Sequence, residues 1–178
     1  LHDRKNNPEQ AVADYTRAIE LDPRNLEALI GRATALMNLG LDDKAESDLK
    51  AYETAQPGSP VAAYLRAMLA FRANDLDAAI GLLDQALRVV PGHYQSQVLY
   101  GTIKYIQGKL ETANEYLTLA YQQNPDHPQL AKLLAATKLL LKQPEAAIEL
   151  LSPRARDTRD VQLLSMLASA YAMKGDYD

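Results

Sequence analysis

Apolar side chains recur along this chain at the spacing of one helical face, in short blocks that come in pairs. The stretch "LEALIGRATALMNLG", residues 26–40, carries such a stripe and stops at Gly40. "DDKAESDLKAYETAQP", residues 42–57, follows it and stops at Pro57. Two helices joined by a glycine turn and closed by a proline are therefore predicted. The remaining sequence repeats that prediction.

The repetition has a fixed step. Pro23, Pro57, Pro91 and Pro125 are each 34 residues apart, and Ala11, Ala45, Ala79, Ala113 and Ala147 keep the same interval. Leu49, Leu83, Leu117 and Leu151 do so too, with Tyr15 in the first copy. A constant period shared by several residue types marks a stacked repeat architecture. Each residue type has a physical role in it. Gly40 and Gly108, with Asn74 between them, suit the left-handed residue that ends a helix. The prolines cannot extend the preceding helix. Ala33, Ala67, Gly101 and Ala135 are expected to face the alanines of the second helices, where two backbones come close.

These residues resemble the tetratricopeptide repeat. In that family a 34-residue helix–turn–helix unit carries a small residue within its first helix, glycine in the turn, alanine in the second helix and proline in the connection. Gly101, Gly108, Ala113 and Pro125 supply those features in one copy. The resemblance covers the whole chain. It implies an all-α fold, a helix–turn–helix solenoid with a right-handed superhelical twist (an α-α superhelix) and a concave inner surface. The expected organisation is a single array over 1–178. Residues 1–25 form a partial repeat, 26–59, 60–93, 94–127 and 128–160 are full repeats, and 161–178 are the first helix of a further one. "LASAYAMKGDYD", residues 167–178, reads as that first helix and the start of its turn, with Tyr177 in the turn. Both ends are thus expected to cut through a longer array, leaving Leu163, Leu164 and Leu167 without a covering helix. The fifth unit is one residue short and has Arg159 or Asp160 where the proline belongs. Its Pro153 is expected to shorten or kink the second helix.

Composition narrows the function. The 178 residues hold no cysteine, so neither a disulfide framework nor a thiolate metal site can form. The net charge of −4 lacks the basic excess of a nucleic-acid binder, so no nucleic-acid partner is expected. No apolar run approaches the roughly 18 residues that span a bilayer. His93 and His127 share one repeat position and read as turn residues; His2 lies at the ragged start. Asp75 and Asp77 suggest calcium, but they open a helix, where aspartate complements the dipole. No nucleophile–base pair and no phosphate-binding glycine loop stands out, so no enzyme activity, cofactor or metal is expected.

The resemblance further implies where a protein or peptide partner would bind, because certain first-helix positions line the concave surface in this family. Carried over, they give Ile30, Thr34 and Met37 in the second copy, and Tyr64, Met68, Phe71 and Arg72 in the third. They give Val98, Thr102 and Tyr105 in the fourth copy and Lys132 in the fifth. Ile106 and Leu140 also fall in this set; the alternative for them is packing against adjacent first helices. Chaperone-tail-binding members clamp a carboxylate with a lysine and an asparagine on this surface. Only Lys132 matches that pattern, so a chaperone-tail receptor is not expected. The phrasing of "EALIGRATALMNLG", "VAAYLRAMLAF" and "VLYGTIKYIQGKLETANEYL" is similar to the tetratricopeptide lipoproteins of bacterial PEP-CTERM/exosortase systems. That implies a lipid-anchored envelope protein tied to exopolysaccharide production and protein sorting. Alternatives are a cytoplasmic assembly module and the non-catalytic arm of an enzyme.

Overall fold

The computed structural model describes residues 7–156 and 158–175, so His2 and Tyr177 lie outside the described residues. Among the described residues there are ten α-helices and no strand. The second helices of successive repeats are α1 (Pro8–Leu21), α3 (Asp42–Ala55), α5 (Leu76–Val89), α7 (Leu110–Gln123) and α9 (Pro144–Ala155). The first helices are α2 (Leu26–Asn38), α4 (Pro60–Arg72), α6 (Tyr94–Ile106), α8 (Pro128–Leu140) and α10 (Val161–Lys174). The chain divides into two compact units, Leu1–His93 and Tyr94–Asp178. In the first unit α1 to α5 pack each against the next, and α2 also touches α4. In the second, α6 to α10 do the same, and α8 also touches both α6 and α10.

The periodic small residues are where the helices cross. Ala33, Ala45, Ala67, Ala79, Ala113, Ala135 and Ala147 are fully buried, as are Leu49, Leu83, Leu117 and Leu151. Ala33, Ala45 and Leu49 share one cluster, and Ala135, Ala147 and Leu151 another. Gly101 shows why size matters here. A Cβ on it would sit 2.7 Å from Leu117 Cγ and 3.2 Å from the Leu117 backbone nitrogen. Ala11 departs from the ladder by being only half-buried.

The turns repeat as closely as the core. Gly40, Asn74, Gly108 and Lys142 adopt φ of 72°, 59°, 72° and 57°. In each turn the next amide reaches back five residues: Leu41 to Leu36, Asp75 to Ala70, Lys109 to Lys104 and Gln143 to Lys138, all at 2.9 Å. This is the Schellman closure, which satisfies carbonyls that a helix end leaves open. The ladder prolines stand two residues past the ends of α1, α3, α5 and α7.

A second ladder opens the first helices. Asn25, Ser59, His127 and Asp160 accept the amide hydrogen three residues on, at 2.9, 3.4, 3.2 and 3.1 Å. The histidine uses Nδ1, so His127 is an N-cap as well as a turn residue. Asp75 likewise caps α5 through Ala78 at 3.0 Å, which accounts for the acidic pair without a metal.

Helix α9 runs through Pro153 to Ala155 and has 12 residues, against 14 in α3, α5 and α7. The shortening predicted from Pro153 is present. Arg154 holds the end: its guanidinium donates to the Leu150 carbonyl at 2.7 Å, to the Tyr121 hydroxyl at 3.1 Å and to the Pro125 carbonyl. One expectation fails at α10. Leu163 is buried, and Leu167 packs beside it against the Ala147–Leu151 face of α9; Leu164 alone of the three stays exposed. The helix turns Leu163 and Leu167 toward the preceding repeat rather than the following one.

Candidate partner-binding surface

In the first unit the predicted surface residues come from α2 and α4, which lie side by side. Ile30, Tyr64 and Met68 are half-buried, each resting on the core cluster of Ala33, Leu36, Leu49 and Leu65. Phe71 is half-buried and Thr34 exposed. Met37 is a correction. It is 3% exposed and belongs to that core cluster, so it supports the surface from beneath and offers a partner nothing. Arg72 is not a free cation. Its guanidinium donates to the Met37 carbonyl at 2.6 Å and to Asp42 Oδ1 at 2.9 Å, tying α4 to the turn after α2.

Tyr64 has a support of its own. Its ring meets His93 edge to face, with centroids 5.6 Å apart and planes at 63°. Burial raises the Tyr64 phenol above its ordinary pKa and lowers that of the His93 imidazole, so both are held neutral. Arg32 lies deeper, gripping the buried Asp48 with two hydrogen bonds of 2.8 and 2.7 Å between α2 and α3. Arg66 bridges Glu46 and Glu53 of α3, each at 3.0 Å. These pairs fasten helices together. They also leave the neighbouring cleft of about 450 Å³, lined by Asp42, Asp43, Arg66 and Asp75, without an uncommitted arginine.

In the second unit the residues come from α6 and α8, and α10 lies beside α8. Val98 and Tyr105 are half-buried against the cluster of Leu117, Leu130 and Leu134. Thr102 turns its hydroxyl onto the Val98 carbonyl at 2.7 Å. Ile106 and Leu140 are mostly open to solvent: each is 56% exposed. Lys132 is the reverse. It is 8% exposed, and its ammonium donates to Asp160 Oδ2 at 2.8 Å and to Gln162 Oε1 at 3.2 Å. The Lys132 hydrogen bond is the main reason the Asp160 carboxyl is held below its ordinary pKa, with the Leu163 amide adding to it.

Sequence reasoning therefore placed most of these residues on accessible first-helix faces and missed the commitments of Arg72 and Lys132. The signal for Asp160 was present: it occupies the N-cap position of α10, as Asn25 and Ser59 do for α2 and α4. Among the described residues no group of three or more histidines and carboxylates could hold a metal ion. No helix among them is long and apolar enough to cross a membrane.

Two family profiles described as tetratricopeptide repeat match the sequence, one over residues 1–60 and 64–128 and the other over 104–171. No curated protein matches it. Among solved structures, PilW, described as a widely conserved type IV pilus biogenesis factor, superposes with a TM-score of 0.79 at 24% identity, covering 98% of this chain and 81% of that one. PilF of Pseudomonas aeruginosa gives 0.81 at 16% identity, covering 97% and 79%. MamA of Desulfovibrio magneticus RS-1 gives 0.68 at 19%, covering 87% and 90%. At these identities the likeness is one of fold.

Proposed function

The chain belongs to the tetratricopeptide repeat family, and we propose that it is a non-catalytic scaffold that holds a protein partner, as a peptide or a helix, against its first-helix faces. Proteins of this family mediate protein–protein interaction, which supports the reading at its coarsest level. The observation that carries it further is the character of those faces. Tyr64, Met68, Phe71, Tyr105, Ile106 and Leu140 present partly or largely exposed apolar surface on consecutive first helices, where most apolar residues of the fold are covered. Aromatic residues on a rigid helical support give large contact area for little lost entropy. The setting we propose is a bacterial envelope export or exopolysaccharide system of the PEP-CTERM/exosortase type, with the full-length protein lipid-anchored. Its support is the repeat phrasing of the sequence.

Two experiments test these levels separately. Tyr64→Ala with Tyr105→Ala should weaken partner capture and leave far-UV helical content unchanged; recovery of the same partners by the double variant sinks the surface assignment. Fractionation of cells making the full-length protein, with metabolic lipid labelling, tests the setting. An unlabelled cytoplasmic product would move the scaffold out of the envelope and leave the surface assignment standing.

A further inference from the structure

We infer that the face made by α6, α8 and α10 selects an uncharged, apolar peptide segment, and that Asp160 sets this selectivity by masking Lys132. The inference rests on the proposed reading of the first-helix faces as docking surfaces and adds the chemistry of the partner.

Three observations carry it. Among the expected surface residues on α6 and α8, Lys132 alone carries a charge, and its ammonium is already occupied by Asp160 and Gln162. An incoming carboxylate would have to displace one that the fold holds in place at 2.8 Å, leaving Asp160 unpaired. Two of the hydroxyls there already donate within their own helices. Thr102 donates to the Val98 carbonyl at 2.7 Å and Ser169 to the Ser165 carbonyl at 2.9 Å. The large side chains that stay open are apolar, Ile106, Leu140 and, at 49% exposure, Met173, and the exposed polar side chains beside them, Gln95, Gln129, Gln162 and Ser165, carry no charge. A charged segment laid here would lose water and gain no counter-charge, whereas an apolar one loses nothing.

Asp160 divides its two oxygens between two tasks. Oδ1 takes the Leu163 amide at 3.1 Å and caps α10, while Oδ2 takes Lys132 at 2.8 Å. Asparagine is as good an N-cap but has no charge to offer the lysine. Asp160→Asn therefore separates the tasks: the cap stays and Lys132 is unmasked. Asp160 acts through Lys132 and is a positioning residue.

The test uses a random dodecapeptide display library selected on the full chain, with fluorescence anisotropy on the recovered peptides. The unaltered protein should recover neutral, apolar peptides whose Kd changes by less than about threefold between roughly 50 and 500 mM salt. Asp160→Asn should enrich peptides bearing Asp or Glu by at least about fivefold. Lys132→Met combined with Asp160→Asn should return the selection to neutral peptides, a reversal that a merely structural role for Asp160 would not produce. If Asp160→Asn loses helical signal, Lys132→Met alone serves, because it unmasks Asp160 and should enrich Lys- or Arg-bearing peptides. Acidic peptides recovered by the unaltered protein, or unshifted selection in the unmasking variants, overturn the inference. No enrichment at all, or recovered peptides that bind Ile106→Ser with Leu140→Ser undiminished, overturns the docking reading beneath it.

Discussion

Tyr15 and Gly31 show how single residues in this chain are set by their neighbours across a helix pair. Tyr15 takes the position held by Leu49, Leu83, Leu117 and Leu151 in later copies, and Gly31 the position held by Leu65, Leu99 and Leu133. A Cβ on Gly31 would lie 2.3 Å from Tyr15 Cζ, so the large ring in α1 needs the missing side chain in α2. Gly31→Leu alone should cost about 1–3 kcal/mol by overpacking. Combined with Tyr15→Leu it recreates the leucine pair of the other copies, and the two changes should be non-additive by at least about 1 kcal/mol in urea unfolding. Additive effects would dissolve the pairing. Lys142 is a second local exception. It sits at φ 57° where Gly40 and Gly108 serve in other turns, and a side chain with a Cβ is disfavoured there. Lys142→Gly should stabilise the protein by about 0.5–1 kcal/mol, read as a raised melting temperature; an unchanged or lowered one removes strain from that turn.

Among the elements, α10 depends on one carboxylate for both its cap and its tie to α8. Because Lys132 holds the Asp160 carboxyl below its ordinary pKa, the folded state favours the charged form. The resulting stability is full above the unfolded value near about 4 and is lost as pH falls through the depressed folded value. The melting temperature of the unaltered protein should therefore exceed that of Asp160→Asn by most above about pH 5, and the gap should close below about pH 4. A gap that is constant with pH refutes the linkage. This dependence also marks where sequence reading stopped. The proline, alanine and glycine ladders were legible because each follows from a backbone requirement that recurs unchanged in every copy. The shortening of α9 was legible for a different reason: Pro153 is peculiar to one copy, and its ring restrains the backbone before it. Met37 and Lys132 were not legible as buried residues, because periodicity gives the direction a side chain leaves its helix. What the next helix places over it lies on another repeat, here Leu65 from α4 and Asp160 from the start of α10. The histidine cap on α8 was not legible because a shared repeat position marks His127 as a turn residue without showing that its Nδ1 accepts from the Leu130 amide.

At the scale of the whole molecule, the decisive property is that within each unit the described helices touch only their near neighbours in sequence. Every helix packs against the next one along its unit, and the remaining contacts join adjacent first helices. Stability in such an arrangement is a sum of repeat and neighbour terms rather than one indivisible quantity. Damage should then stay local. Ala79 is fully buried on α5, which packs against α4 across small residues such as Ala67. Ala79→Leu forces additional carbons into a position that has no exposed surface, at a cost of about 1–3 kcal/mol. Amide hydrogen exchange should show the loss of protection concentrated in α4 and α5, smaller in α3, and absent from α1, which packs on α2 alone within that unit. In a protein with a single cooperative core the same substitution would lower protection of the most stable amides everywhere by one common amount. A uniform loss across α1 to α5 would show that unfolding of this unit is all-or-none and that its repeats do not carry separate stabilities. An unchanged exchange pattern and melting temperature would show instead that the α4–α5 crossing has room, and that Ala79 is not there for packing.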